Sequence, residues 1–131
     1  MGRTGPYLME RLLTELTLAG LEKALSYSRG THDVGDVVAQ ILRGDAQLWE
    51  DTDALIVTEV YTMPRRKVVH FWLATGEMAP VIQLHYRVLD WAKEQGCTLA
   101  TLAGRRGWTK ALADAGWETD MVFMGRELED G

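Results

Sequence analysis

Residues 54–103 read ALIVTEVYTMPRRKVVHFWLATGEMAPVIQLHYRVLDWAKEQGCTLATLA, and this stretch decides the fold. Its first part holds two segments rich in β-branched and aromatic residues, 54–61 and 67–75. Side chains of this kind favour strands. The residues between them, Met63-Pro64-Arg65-Arg66, include a proline, which a central strand does not accept. The pattern therefore predicts two antiparallel strands joined by a turn.

The second part of the stretch changes its period. Gly76 ends the strand pattern, and Pro80 suits the first turn of a helix. Apolar residues then recur at helical spacing to about Gln95, and Gly96 closes the helix. Residues 98–103 return to a strand pattern, so we predict a strand–helix–strand crossover.

The same reasoning extends the fold in both directions. Residues 46–50 form a further short strand, which makes an antiparallel meander of three strands with the pair above. Downstream, residues 107–115 predict a short helix and residues 117–124 a last strand. Antiparallel strands that feed a parallel crossover give a mixed sheet with helices packed against it, which is an α+β architecture.

The first 45 residues are predicted to be helical. A leucine-rich helix is expected to stop at Gly20, followed by a second short helix over residues 21–27. Thr31 or Asp33 can cap a third helix, which Gly44 ends. We expect one domain over residues 1–131, with a helical part (1–45), a part with the sheet (46–127) and a short tail (128–131).

Composition excludes several classes of protein. The chain is 47% apolar and 25% charged, as is typical of a globular domain, and its formal net charge is −5. An acidic balance argues against general nucleic-acid binding, which needs a basic surface. Arg65-Arg66-Lys67 is either a local basic cluster or a solvated turn.

The sequence holds no pattern typical of a metal site or a disulfide. Cys97 is the one cysteine, and a lone cysteine favours a small core residue. The three histidines are far apart, so we expect no metal centre. We find neither a signal peptide nor an apolar run long enough to span a bilayer, so we expect the protein to begin in the cytoplasm.

The order and lengths of these elements resemble the GNAT superfamily of acyl-CoA-dependent N-acetyltransferases. The local match is GRRGWTKALADAGW, residues 104–117, where a helix ends in an aliphatic residue, a glycine and an aromatic. Together with residues 44–49, 57–60 and 72–76, it is similar to small GNAT-like proteins encoded by tailed bacteriophages. The resemblance covers about residues 46–127 and implies a GNAT-like mixed sheet.

The resemblance also shows where the chain departs from active enzymes. Active members bind the pyrophosphate of acetyl-CoA on backbone amides in a glycine-rich loop before the central helix. Residues 75–82 have a single glycine, an acidic Glu77 and a Pro80 without an N–H, and no Arg or Lys occurs between Lys67 and Arg87. Leu112 stands where the family often has the tyrosine that protonates the departing thiolate.

We therefore predict no catalytic residue and no cofactor site. If the chain is active, Glu59 or His70 is the candidate general base, although each fits a structural role as well. Acetyl-CoA would then be held by one group of residues: Leu73, Ala74, Thr75, Gly76 and Ala79.

Several residues are candidates for contacts with other proteins. Trp91 lies at the edge of the helical apolar stripe, where an exposed indole favours a protein contact. Arg105 and Arg106 follow a strand and precede a helix, where they meet DNA or an acidic partner or form a solvated loop, and Trp108 is a further candidate contact. The N-terminal leucine-rich helix is either a further contact or packs on its own sheet.

Three functional hypotheses follow. The first is a non-catalytic structural or assembly protein of a tailed bacteriophage, which contacts other virion proteins in a homo- or hetero-oligomer. The second is an active N-acetyltransferase that uses acetyl-CoA on a protein or a small amine. The third is a regulatory protein that binds a nucleotide-like ligand without chemistry.

Overall fold

The computed structural model describes residues 15–129 of the chain. Within them it has four helices and four strands, and the four strands form one mixed sheet. In chain order the elements are α1 (Glu15–Leu25), α2 (Val34–Arg43), β1 (Gln47–Asp51), β2 (Ala54–Thr62), β3 (Lys67–Gly76), α3 (Met78–Glu94), β4 (Leu99–Leu102) and α4 (Gly107–Ala113). The predicted α+β fold class is confirmed.

The sheet has the order β1-β2-β3-β4. The first three strands pair antiparallel, as the meander predicts. β4 pairs parallel with β3 after the crossover through α3. The turn that contains Pro64 and the crossover through α3 therefore give the topology that the sequence predicts.

The helix α1 corrects the prediction that Gly20 is a stop. α1 runs through Gly20 without a break, and most of the leucines predicted to begin it lie outside the described residues. A Cβ built on Gly20 would lie 3.0 Å from Cδ1 of Leu55. The missing side chain thus lets the helix approach the sheet closely, which is a packing role and not a terminating one.

The helix α2 has the ends that its sequence predicts. Asp33 is the N-cap of a capping box: its carboxylate accepts from the amide of Asp36, and the Asp36 carboxylate accepts from the amide of Asp33. Gly44 ends the helix with φ 85°, a left-handed conformation that favours glycine.

The sheet is covered on both sides, which divides the core into two clusters. α1 and α2 cover one face, around the buried Leu21, Leu48 and Val57. α3 covers the other face, around the buried Trp49 and Val88. β1, β2 and β3 each place side chains in both clusters, as strands buried on both faces require.

The predicted last strand over residues 117–124 is wrong. Residues 117–129 belong to no strand in the structure. Gly116 ends the helical region with φ 92°, and Trp117 packs edge-on against Phe71 at 5.6 Å between ring centroids, so the glycine–aromatic pair behaves as predicted. The chain beyond it does not join the sheet, and its apolar side chains face solvent.

Candidate functional site

The sheet splits at the middle of β3. β3 and β4 pair only from Val68–Leu99 to Phe71–Leu102, whereas β3 continues to Gly76. The register of β2 against β3 also shifts there, so that Val57 faces Leu73 and Thr58 faces Phe71. Trp72 is therefore the extra residue of a β-bulge, a feature that bends a strand and re-aims its side chains.

The residues predicted to hold a cofactor line up beyond this bulge. Four of them, Leu73, Ala74, Thr75 and Gly76, form the end of β3, and Ala79 lies in the first turn of α3. The structure thus brings the group together at the open end of the sheet. In α/β sheets, ligands commonly bind outside the carboxyl ends of the strands.

The bend between β3 and α3 has few amides for an anion. The amide of Glu77 donates to the carbonyl oxygen of Asp53 at 2.9 Å, so this N–H is already used. Pro80 has no N–H, and the amide of Val81 donates to the Glu77 carbonyl within the helix. Of the first-turn donors, only those of Met78 and Ala79 are left.

Gly76 is fixed in place by the same neighbour. It has φ 129°, and a Cβ built on it would lie 2.1 Å from the carbonyl oxygen of Asp53. The turn between β1 and β2 therefore packs directly on the backbone of the bend. The side chain of Glu77, the N-cap residue of α3, makes no capping hydrogen bond, so its carboxylate adds negative charge where an anion would have to bind.

Sequence reasoning missed one basic residue near this bend. Arg105 lines a cavity of about 290 Å³ together with Gly76, Met78, Gly107 and Trp108. The local sequence around the bend contains no Arg or Lys, but β3 and β4 are parallel, so the loop after β4 reaches the same end of the sheet. The strand order was the signal that could have placed Arg105 there.

The guanidinium of Arg105 already has a partner in the structure. It lies 4.2 Å from the ring centroid of Tyr27, and Nη1 donates to the Tyr27 hydroxyl at 3.1 Å. Arg105 therefore joins the loop after β4 to the segment between α1 and α2. Arg106 lies at the N-cap position of α4 and is exposed, so its contact role stays a prediction.

The two candidate bases meet on the opposite half of the sheet. Glu59 on β2 pairs with His70 on β3, which pairs in turn with Thr101 on β4. Nδ1 of His70 lies 2.9 Å from Oγ1 of Thr101. The three side chains therefore form a polar row across three strands, two residues before the bulge at Trp72.

Burial and charge set the protonation of this row. Burial lowers the pKa of His70, and the negative charge of Glu59 opposes that shift in part. Partial burial, a hydrogen bond with Glu59 and the charge of Glu59 raise the pKa of Tyr61 to about 12. Near neutral pH the imidazole is thus neutral and able to accept a proton, and the phenol stays protonated.

Leu112, which the sequence resemblance aligns with the family's tyrosine, is an aliphatic core residue. Leu112 is buried, and its carbonyl oxygen accepts from the amides of Ala115 and Trp117. A leucine side chain has no proton to give, so this position cannot serve as a general acid.

The tryptophans are mostly structural. Trp49 is buried, and its indole N–H donates to Thr58 at 3.0 Å. Trp91 lies at the edge of the core, as predicted, and packs edge-on against Trp49 at 5.2 Å between ring centroids. Trp108 packs against the same cluster. An interaction role for Trp91 or Trp108 stays a prediction, since each already has a contact within the chain.

Three further predictions concern Cys97, metal binding and membrane-spanning helices. Cys97 is buried in the core, as predicted, and burial raises the pKa of its thiol although Lys67 acts against that shift. Among the described residues there is no group of His, Cys, Asp and Glu side chains that could hold a metal ion. None of the helices described between residues 15 and 129 has the length and apolar character needed to cross a membrane.

Solved structures share this architecture. An acetyltransferase from Trypanosoma brucei superposes with a TM-score of 0.65 at 12% identity, covering 88% of this chain and 96% of that one. The fold is that of the GNAT acetyltransferases.

Two other chains with the GNAT fold match over similar lengths. An aminoglycoside acetyltransferase from an uncultured soil sample, solved with sisomicin, has a TM-score of 0.67 at 10% identity and covers 94% of this chain and 93% of its own. Glucosamine-6-phosphate N-acetyltransferase from Arabidopsis thaliana has a TM-score of 0.61 at 12% identity and covers 95% and 96%. No protein-family model and no curated protein sequence matches the chain. At these identities the likeness establishes the GNAT fold alone.

Proposed function

We propose that this GNAT-fold protein does not transfer acetyl groups and acts through contacts with other proteins. The observation that carries the proposal is the bend before α3. Its Glu77 amide is bonded to the Asp53 carbonyl, Pro80 lacks an N–H, and the Glu77 carboxylate stands at the helix start. Without a cradle for the diphosphate, acetyl-CoA has little binding energy with which to position its thioester.

Two further observations support this proposal. Leu112 offers no proton to a departing thiolate. In addition, Met121, Val122, Phe123 and Met124 form a continuous apolar stretch on the surface. An exposed apolar patch of this kind is typical of a protein interaction site.

A thermal shift with acetyl-CoA tests the proposal. A ligand that binds the folded state raises the melting temperature as its concentration rises. At a free ligand concentration ten times Kd, the folded state gains about 1.4 kcal/mol of stability. We expect no rise with millimolar acetyl-CoA. A concentration-dependent rise that saturates would overturn the proposal, since it requires a donor site that works.

A positive control shows that the bend itself is the obstacle. Replacing Glu77→Gly and Pro80→Ala together restores a donor N–H and removes the opposing charge. We expect this variant to gain weak binding of CoA in the same assay, whereas the surface change Glu94→Gly at the far end of α3 leaves binding unchanged.

The virion of a tailed bacteriophage is our proposed setting, and it rests on the sequence resemblance. Mass spectrometry of purified particles of a phage carrying this gene is the direct test. We expect the chain at a fixed stoichiometric ratio to the major structural proteins. Its absence from intact particles would contradict the assignment to a virion.

An N-acetyltransferase is the second candidate function, and one observation favours it. The row of Glu59, His70 and Thr101 places a neutral imidazole beside a carboxylate, next to the split in the sheet. Such an imidazole can accept a proton from an amine. The enzyme is supported if CoA is released from acetyl-CoA in the presence of amines or peptides and if His70→Gln abolishes the release.

A further inference from the structure

A buried histidine joins the central helix to the segment that follows α4. His85 lies on α3 and is 3% exposed. Its Nδ1 lies 2.7 Å from the carbonyl oxygen of Ile82, and its Nε2 lies 3.1 Å from the indole Nε1 of Trp117. Both ring nitrogens therefore have a hydrogen-bond partner, one on the same helix and one 32 residues further along the chain.

The two partners fix the position of the single proton of this imidazole. A carbonyl oxygen can only accept, so Nδ1 of His85 carries the proton that it donates to Ile82. An indole N–H can only donate, so Nε2 keeps its lone pair for Trp117. These contacts accept the neutral ring in one tautomer and exclude the imidazolium, in which both nitrogens carry a proton.

The described ring contacts of His85 offer no counter-charge for an imidazolium. They are the rings of Phe71 on β3 at 6.0 Å, of Tyr86 on α3 at 4.5 Å and of Trp117 at 6.0 Å between centroids. A phenol is uncharged in acid, and the two other rings do not titrate. Cys97 lies in the same core cluster as Phe71, and burial raises the pKa of its thiol, which is therefore uncharged as well.

The charged side chains on the elements packed against this ring are bonded elsewhere or exposed. On α3, Arg87 forms an ion pair with Asp51. On β3, Lys67 donates to the C-cap carbonyl of α3, and His70 lies on the opposite face of the sheet from Phe71. The others are exposed: Asp90, Lys93 and Glu94 on α3, Lys110 and Asp114 on α4, and Glu118 and Asp120 on the segment after α4.

Trp117 attaches an otherwise exposed segment to the core. All residues from 118 to 129 are exposed and belong to no strand or helix. Further along, Gly125 packs on Arg29, and Glu127 forms an ion pair with Arg29 at 3.3 Å. Both partners of that ion pair are exposed, so it contributes little stability. The contact between Trp117 and His85 is therefore the attachment that matters for this segment.

We propose that this contact is an acid-sensitive latch, in which protonation of His85 at Nε2 breaks the bond to Trp117 and releases residues 117–129 from the core. A proton from solvent adds to the Nε2 lone pair, so the ring then presents an N–H to the indole N–H. Two donors cannot bond to each other, and the contact is lost. Histidine is the side chain whose protonation most often drives such switches.

Trp117 is the partner that moves. His85 belongs to a helix of 17 residues that packs on the sheet, whereas the segment after α4 has no regular structure among its described residues. Segments with few buried contacts separate from a protein at the lowest cost in free energy. Release also frees the apolar stretch Met121–Met124, so acid changes how this stretch is presented to partners. The latch goes beyond the proposed function and does not depend on it.

Nuclear magnetic resonance of the ¹⁵N-labelled full chain tests the latch at a series of pH values from about 8 to about 5, which lies above the range where carboxylates ordinarily titrate. The indole N–H signal of Trp117 is assigned by its loss in Trp117→Phe. We expect this signal to disappear as the pH falls and the amide signals of residues 118–129 to narrow at the same midpoint. The dispersed amide signals of β2 and β3 report that the sheet is still folded.

Two variants separate His85 from other acid-sensitive groups. His85→Gln cannot take up a proton, but its side-chain oxygen can accept from the indole, so we expect the signals of Trp117 and of the segment to stay constant over the whole range. His70→Gln removes the histidine on the other face of the sheet and should leave the release unchanged. Trp117→Phe supplies a test that does not depend on the folding of the His85 variant. Without an indole N–H, the line widths of the segment should lose their dependence on pH.

Three results would overturn the inference. The first is a Trp117 signal that persists until the signals of β2 and β3 collapse. The second is release of the segment at the same midpoint in His85→Gln. The third is a segment whose signals are already narrow at about pH 8, where imidazoles are neutral. Binding of acetyl-CoA would contradict the proposed function and leave the latch standing, so the two failures can be told apart.

Discussion

Individual residues at the start and in the middle of the central helix decide much of the chemistry and stability of this chain. At the start of α3, the amide of Glu77 is bonded to Asp53, and Pro80 has no amide proton to give. Further along α3, the buried His85 accepts from the Trp117 indole and also lies 2.7 Å from the Ile82 carbonyl through Nδ1. Both partners together favour a neutral imidazole with its proton on Nδ1.

The bond between Trp117 and His85 predicts a measurable stability contribution. Trp117→Phe keeps an aromatic ring against Phe71 but removes the N–H, so Nε2 of the buried His85 loses its donor. We expect a loss of about 1–3 kcal/mol in the free energy of unfolding by urea.

Trp108→Phe is the matched control for this prediction. Trp108 is half-buried against the same cluster, and its indole makes no hydrogen bond among the described residues. Trp108→Phe should lose less free energy of unfolding than Trp117→Phe. Equal losses would show that ring volume, and not the hydrogen bond, accounts for the effect.

The lowered pKa of His70 predicts a pH dependence of stability. Between the ordinary value of 6.5 and the lower value in the folded protein, the unfolded chain binds more protons at this residue. Stability therefore falls as the pH drops below about 6.5, because protonation favours the unfolded state.

Chemical denaturation at several pH values measures this effect. His70→Gln should flatten the slope of stability against pH in that window and keep a polar partner for Thr101. His32→Gln is the control, since His32 is not among the causes of the pKa shift of His70. An unchanged slope in the His70 variant would assign the acid sensitivity to other groups.

At the scale of elements, the packing of α1 on the sheet depends on one glycine. Gly20 lies over Leu55 on β2, so the spacing of this layer depends on a missing side chain. Glycine is less favourable in a helix than alanine, but it commonly lets two packed elements approach each other more closely. It also explains why a mid-helix glycine was mistaken for a helix end.

This packing predicts that Gly20→Val is destabilising. The new side chain would press on Leu55, and over-packing of this kind costs about 1–3 kcal/mol. Ala19→Val in the same helix is the control, because Ala19 is exposed and the substitution introduces the same β-branched residue. Thermal unfolding of the pair compares the two directly, and similar melting temperatures would contradict the packing role of Gly20.

At the scale of the whole molecule, stability is concentrated in the middle of the sheet. β2 and β3 share the longest register, and helices cover both of their faces. α4 is short, and Leu112 is its one buried residue. Regions with few buried contacts open first in native proteins.

Hydrogen exchange should therefore follow a clear order. We expect the amides of β2 and β3 to exchange slowest, at the rate of global unfolding, and those of α4 to exchange by local opening well before. Exchange followed by mass spectrometry on dilute protein measures both peptides at once. Equal protection of α4 and β3 would indicate a single cooperative unit instead.

The sequence determined the periodic elements of this protein and the residues of the bend before α3. The meander, the crossover helix and the caps at Asp33 and Gly44 all follow from local patterns, because strand and helix periods and turn residues act over a few neighbouring positions. The residues Glu77, Pro80 and Leu112 could be interpreted from the sequence for the same reason.

The tertiary structure alone decided what depends on residues distant in the chain. It made Gly20 a packing residue, brought Arg105 to the cavity at the bend, aligned Glu59 with His70 and Thr101, and kept residues 117–124 out of the sheet. None of these could be read from a local pattern, because a segment joins a sheet, and side chains meet, only where packed elements bring them together.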